Sequence, residues 1–240
     1  MSLSARTYLE EVMPTIEGWL YPGAVEVSEL LINIQESLGI AGCGLEIGVY
    51  KAAYLSYLAA ASEGEWHGLD IFLFRQKPEA EANISRVIRE SGSKSNVVLN
   101  QVNSQTLTPE TLKRILGNIP LKFASVDGDH SAAGVFHDMA MIEKNLSPGG
   151  IVAVDDVFSP MNASVSEGVF RYLFSTETEL RPVVFSDNKL FLTTEGFDEP
   201  YQIGLKIALH HHTGKIGNLW RDDQQINRIR PFLNGQLMHL

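Results

Sequence analysis

The sequence has a single cysteine, Cys43, in 240 residues, which excludes an intramolecular disulfide and any multi-cysteine zinc site. It also lacks a basic excess. Nineteen Lys and Arg stand against 29 Asp and Glu, a formal net charge of -10. A nucleic-acid binder needs a basic face to neutralise phosphates, and an anionic membrane surface asks for the same, so neither is an expected partner. No apolar run approaches the roughly 18 residues of a membrane span. Acids fall in MSLSARTYLEEVMP where a secretory signal would carry its apolar segment. Internal repeats and low-complexity tracts are missing too, which sets aside solenoids and linkers. What is there is 44% hydrophobic content, enough for one sizeable core, with a single embellished domain as the default. The expectation is a soluble, cytoplasmic, globular protein.

The first forty residues read as helical, with Leu30, Leu31, Ile34 and Leu38 at helical spacing and Gly39 as the stop. Short apolar runs then alternate with helical stretches. Strands are expected at 45–48, 66–71, 96–102, 122–127 and 149–156, and helices at about 52–62, 78–91, 109–116, 131–145 and 164–175. Such alternation makes βαβ units and a parallel sheet. RPVVF (181–185) and KLFLTT (189–194) are separated only by SDN, too short for a crossover helix, so they form an antiparallel hairpin. The fold class is α/β: a doubly wound, mostly parallel, Rossmann-like sheet closed by that hairpin, seven strands in all. Three regions are expected: a helical cap over 1–40, a core over 41–197 and an extension over 198–240.

Ligands of such sheets bind beyond the carboxyl ends of the strands, where the strand order reverses. The residues there are Glu46 and Gly48, Asp70, Asn103 and Ser104, Asp127, Asp129 and His130, then Asp155 and Asp156. Asp, Asn and Ser also cap helices and make turns. Five strand ends that all carry polar groups nevertheless suggest a site.

GCGLEIGVYKAAY (42–54) is not a dinucleotide fingerprint. Its glycines read G-x-G-x-x-x-G and lie before and at the end of the strand rather than between strand and helix. No phosphate loop of the G-x-x-x-x-G-K-[ST] kind is present, and Glu46 would repel a phosphate. Glu46 and Gly48 instead resemble motif I, E/D-x-G-x-x-x-G, of the class I S-adenosylmethionine-dependent methyltransferases, with Ala52 in the place of the last glycine. The resemblance implies that Glu46 and Gly48 lie at the amino-acid part of S-adenosylmethionine. Asp70, 24 residues after Glu46, would accept from the two ribose hydroxyls, although an Asp there also serves to cap a helix. Asn103 and Ser104 would lie beside the adenine.

The densest segment is VDGDHSAAGVFHDM (126–139) together with LSPGGIVAVDDVFSP (146–160). Asp127 and Asp155 are 28 residues apart, close to the roughly 30 of a βαβ unit, so neighbouring strands would bring their ends to about 4.8 Å. Asp127 or Asp129 would then face Asp155 and Asp156, and carboxylates that close call for a cation or a shared proton. An oxygen cluster suits a hard divalent ion, Mg²⁺ before others. The alternative is that some of these acids point to solvent or cap helices. His130 is placed to be a general base, or else to hydrogen-bond near Ser131 at the helix start. His137 and Asp138, inside the next helix, read as surface residues, and His210-His211-His212 as incidental, since adjacent helical residues point different ways.

Both segments resemble the metal-dependent O-methyltransferases of the macrolide-sugar and cephamycin-biosynthesis type, in which D-G-D-H-S-Y-x-G follows strand four and an acidic pair follows L-x-P-G-G and strand five. Ala132 replaces the tyrosine here. The resemblance runs over about residues 15–195, EGWL (17–20) included. It implies Asp127, Asp155 and Asp156 as metal ligands, with Asp127 also bordering the cofactor, and His130 as the base that deprotonates a hydroxyl on a small-molecule acceptor. Trp19 and Tyr21 are candidate lid residues. The rival readings are a nicotinamide-dependent oxidoreductase and a non-catalytic protein that kept the fold. Phe232, Leu233, Leu237, Met238 and Leu240 lie beyond the core pattern and suggest packing on the same chain or on a second copy, that is, a homo-oligomer.

Overall fold

The structure is a computed structural model that describes residues 3–175, 177–222, 229–232 and 235–240. After a short helix α1 (Ala5–Thr7) and two irregular turns, α2 (Pro22–Leu38) begins on a proline, whose fixed φ suits the first helical position. It ends at Gly39, in left-handed backbone at φ 70°, the C-terminal stop expected of it. The alternation then proceeds through β1 (Cys43–Ile47), α3 (Ala53–Ala61), β2 (Glu65–Asp70), α4 (Gln76–Ser91), β3 (Asn96–Gln101), α5 (Pro109–Ile115), β4 (Leu121–Val126), α6 (Ala132–Glu143), β5 (Leu146–Val154) and α7 (Ala163–Ser175). These bounds lie within a few residues of those expected from the apolar periodicity.

The hairpin is β6 (Leu180–Ser186) and β7 (Lys189–Thr194), and α8 (Asp198–His211) and α9 (Lys215–Asp222) follow. The expectation of seven strands is corrected to nine among the described residues. The chain's last described residues form β8 (Ile229–Phe232) and β9 (Gly235–His239), and the sheet order is β3-β2-β1-β4-β5-β7-β6-β9-β8. β9 joins β6 in parallel, with Val184 opposite Met238. Its Leu237 and Met238 are buried in the chain's own core, so these tail residues find cover without a second copy. Leu233 lies outside the described residues. Among the described residues no helix is long and apolar enough to cross a membrane.

The sheet separates two apolar layers. One contains Leu31, Leu55, Trp66, Phe123 and Phe191, and the other Leu45, Leu112, Met139, Val169 and Leu192. The order reverses between β1 and β4, and the register sets what meets there. Ile47 pairs with Val126, and Val126 with Val154. The three carboxyl ends are therefore level, and Gly48, Asp127 and Asp155 emerge side by side.

Candidate active site

Two adjoining cavities open at this reversal. The first, about 540 Å³, is lined by Gly48, Asp70, Asn103, Ser104 and Asp127 among others. The second, about 320 Å³, takes in Glu46, Asp127, His130, Asp155 and Asp156. Trp19, Gly48, Tyr50, Asp127 and His130 border both, so the two are halves of one cleft.

In the first half, Gly48 has φ +85°, and a Cβ there would lie 1.8 Å from the Asp127 carbonyl oxygen. Only glycine lets β1 and β4 come this close. Ala52, in the place of the last motif glycine, takes left-handed backbone at φ 64° directly before α3. The conformation that a glycine adopts freely is thus kept by an alanine. Asp70 is oriented by two backbone donors: Tyr50 N–H at 2.8 Å to Oδ2 and Phe72 N–H at 2.6 Å to Oδ1. Each carboxylate oxygen accepts more than one hydrogen bond, so capacity remains for a ligand's hydroxyls. Asn103 Oδ1 accepts from Gln105 N–H and so shapes the turn that carries Ser104.

Glu46 is 2% exposed, and its Oε2 has no hydrogen-bond partner. Burial, followed by the charge of Asp127, pushes its carboxyl well above the usual range. A buried acceptor of this kind is strongly disfavoured unless a donor meets it. A ligand's ammonium group would do so, and the amino-acid end of S-adenosylmethionine presents one. The donor set fits that molecule.

Further into the second half, His130 Nε2 lies 3.2 Å from Asp127 Oδ1 and 3.8 Å from Asp156 Oδ2. The hydrogen bond to Asp127 raises the His130 pKa above the ordinary imidazole value, against the opposing effect of burial. Burial and the neighbouring charge of Asp155 push the Asp127 carboxyl above the usual carboxylate range. One ligand atom each from Asp127, His130 and Asp156 falls within 4.8 Å of the others, a span that one cation could fill. Asp156 is held there by Asn162 Nδ2 at 2.5 Å and Asn188 Nδ2 at 2.9 Å.

Not all the expected ligands converge in the same way. Asp155 is buried, with its Oδ1 3.2 Å from the ammonium of Lys189, a residue that sequence reasoning missed. The available signal was a lysine opening a strand otherwise made of apolar and hydroxyl residues. Asp129 turns back on the start of α6, accepting from Ser131 N–H and Oγ–H, so its role is the helix-start one. Trp19 is 83% exposed at the cleft mouth with its ring 5.7 Å from that of Tyr50. Tyr21 and Met161 border the same half.

Three readings of isolated residues are corrected. Asp138 is fully buried rather than on the surface, because its face of α6 packs under Gly128 and Ser104. Its Oδ1 accepts from Gln105 Nε2 at 3.1 Å. His137 is half-buried, and its Nε2 donates to the Ser104 carbonyl at 3.2 Å. The histidine run is also not wholly incidental, since His212 pairs with the buried Glu26 at 3.0 Å.

Burial raises the Asp138 pKa from 3.8 to about 6. In the unfolded chain this carboxyl ionises near pH 4, while in the folded protein it stays protonated up to about pH 6. The folded state therefore binds the extra proton, and stability falls as pH rises between those values, by about 3 kcal/mol from this residue alone. Asp138→Asn is expected to remove that fall. Thermal melts at pH 5 and pH 8 should show a smaller difference for the variant than for the parent protein, and an unchanged difference would place the titration elsewhere.

Comparison with known proteins bears on the fold. The family model described as a methyltransferase domain matches residues 45–157, the stretch from β1 to just past Asp156. No curated protein sequence matches the chain. Among solved structures, an O-methyltransferase from Bacillus cereus in complex with SAH superposes with a TM-score of 0.55 at 19% identity, over 79% of this chain and 90% of that one. The O-methyltransferase TomG from Streptomyces achromogenes, involved in tomaymycin synthesis and in complex with SAM, gives 0.54 at 18%, over 80% and 88%. CalS11, a TDP-rhamnose 3'-O-methyltransferase of calicheamicin biosynthesis, gives 0.56 at 14%, over 78% and 86%. The likeness is one of fold.

Proposed function

We propose that this chain, built on a methyltransferase domain over residues 45–157, is an S-adenosylmethionine-dependent O-methyltransferase acting on a hydroxyl of a small molecule, with a divalent ion, Mg²⁺ first among candidates, assisting. The observation that carries the reading is one cleft with two unfinished halves. The clamped Asp70 stands in one half, and the orphaned Glu46 carboxyl opens on the other, beside Asp127, His130 and Asp156. The names of the structural relatives, O-methyltransferases seen with SAM or SAH or acting on a TDP-sugar, support the same reaction and a small acceptor.

When bound, S-adenosylmethionine supplies a methyl group on a sulfonium, and a divalent ion supplies the positive charge that lowers a hydroxyl's pKa. The chain's share is orientation and proton removal. Glu46 would accept from the donor's ammonium group, Asp70 from its ribose hydroxyls, and Asn103 and Ser104 would border its adenine. Asp127 and Asp156 would hold the ion, with Asp155 behind them. His130, open to the acceptor half of the cleft and hydrogen-bonded to Asp127, would take the hydroxyl proton onto its ring. Trp19, Tyr21 and Met161 at the rim would cover the acceptor and keep water out.

The test is incubation with methyl-labelled S-adenosylmethionine and a panel of small hydroxylated compounds, with products assigned by NMR. An O-methyl product is expected. Label transferred only to nitrogen or carbon, or to no member of a broad panel, would contradict the assignment.

A further inference from the structure

Asp155 and Asp156 are adjacent in sequence but serve different partners. Asp156 adopts left-handed backbone at φ 56°, which turns it toward Asn162, Asn188 and His130. Asp155 stays inside, 9% exposed, at 3.2 Å from Lys189 Nζ. Lys189 opens β7, is 1% exposed, and its ammonium lies 4.6 Å from the Tyr54 ring centroid. A buried ammonium is strongly disfavoured unless carboxylates and an aromatic face surround it, and here both do. Asp155 Oδ1 and Glu46 Oε2 are both buried without a hydrogen-bond partner, so Lys189 meets Asp155 as a counter-charge rather than as a hydrogen-bond donor.

We propose that Lys189 is a built-in cation of this cluster that withdraws Asp155 from the metal-ligand set, leaving a divalent ion to Asp127 and Asp156. This rests on the metal-assisted reading of the site. It follows from charge and direction together. The oxygen of Asp155 that faces the ammonium already has its counter-charge, and turning it to a metal would strand Lys189 without its closest partner. Two carboxylates with waters and a substrate oxygen are the usual Mg²⁺ set. Such a site binds its ion weakly until the acceptor adds an oxygen. Lys189 is thus a positioning residue, which sets how many carboxylates the metal sees.

The experiment measures Mn²⁺, as a probe of the Mg²⁺ site, by the loss of its free EPR signal on titration with the apo protein. Asp127→Asn and Asp156→Asn are expected to weaken binding at least tenfold, and Asp155→Asn to change it by less than about twofold. Lys189→Met should tighten binding about tenfold by releasing Asp155, and Lys189→Met combined with Asp155→Asn should lose that gain. Equal weakening by Asp155→Asn and Asp127→Asn would overturn the proposal, as would tightening that survives in the double variant. Absence of Mn²⁺ binding in the parent protein would overturn it as well. Where Lys189→Met fails to fold, the Asp155→Asn comparison decides alone. A parallel calorimetric titration with S-adenosylhomocysteine reads the cofactor half separately, so that failure of the metal inference is distinguishable from failure of the methyltransferase reading.

Discussion

Replacing His130 by alanine is expected to lower the rate of methyl transfer by about 10²–10⁴, the usual share of a general base, while leaving cofactor affinity near normal. The ring borders both halves of the cleft, but the groups assigned to the cofactor's ammonium, ribose and adenine are Glu46, Asp70, Asn103 and Ser104. The pH profile carries the sharper signature. Without the ion, the hydrogen bond to Asp127 raises the His130 pKa above the ordinary imidazole value. A base works only when deprotonated, so activity should climb with pH as His130 loses its proton. In His130→Ala this rise should disappear from what activity is left. A variant that keeps both rate and profile would remove His130 from the chemistry.

The second large effect falls on Gly48. An alanine there would have to hold φ +85° and place its Cβ 1.8 Å from the Asp127 carbonyl oxygen and 2.4 Å from the carbonyl carbon. Backbone cannot swing aside as a flexible side chain can, so β1 and β4 would have to part at the very point where the cleft forms. The expected cost is about 3–5 kcal/mol, in the range of overpacking combined with backbone strain. For a chain of this length that lowers the melting temperature by on the order of 10 °C. S-adenosylhomocysteine, which raises the melting temperature of a protein that binds it, should rescue the variant little or not at all. Gly196 is a control within the same molecule, at φ +86° but with nothing within 4 Å of where a Cβ would stand. Gly196→Ala should cost only the conformational strain, about 1–2 kcal/mol. Similar losses in both variants would mean that strain alone, and not the strand contact, explains Gly48.

The β/α alternation was legible because each strand is a short apolar run closed by a polar residue, and each helix has its own period and stop. Leu31 and Gly39 made α2 readable, and the three-residue SDN gap made the β6–β7 hairpin unavoidable. The positions of Glu46, Asp70 and Asp127 in the cleft followed from the rule that such sheets bind at strand ends. What was not legible is direction. Residue type does not reveal that Asp156 takes left-handed backbone and so parts company with Asp155. Nor does it reveal that Lys189, at the head of a strand otherwise made of apolar and hydroxyl residues, faces inward to meet Asp155. Asp138 misleads for a related reason: a charged residue on a helix looks solvated until Gly128 and Ser104 are known to cover it. The β8–β9 hairpin escapes a sequence reading because its pairing with β6 is non-local. Nothing in the tail's composition distinguishes a strand partner in the same chain from a second copy.

The cofactor half of the cleft carries the central assignment, and one calorimetric series tests it. S-adenosylhomocysteine should bind the parent protein at a single site, and NAD should give no binding heat. Asp70→Ala should weaken S-adenosylhomocysteine about 5- to 150-fold, the equivalent of about 1–3 kcal/mol for removing the partner of buried hydroxyls, with the fold intact by circular dichroism. Binding of NAD in place of S-adenosylhomocysteine, or an Asp70→Ala variant that folds and binds S-adenosylhomocysteine as tightly as the parent, would contradict the assignment of this cleft.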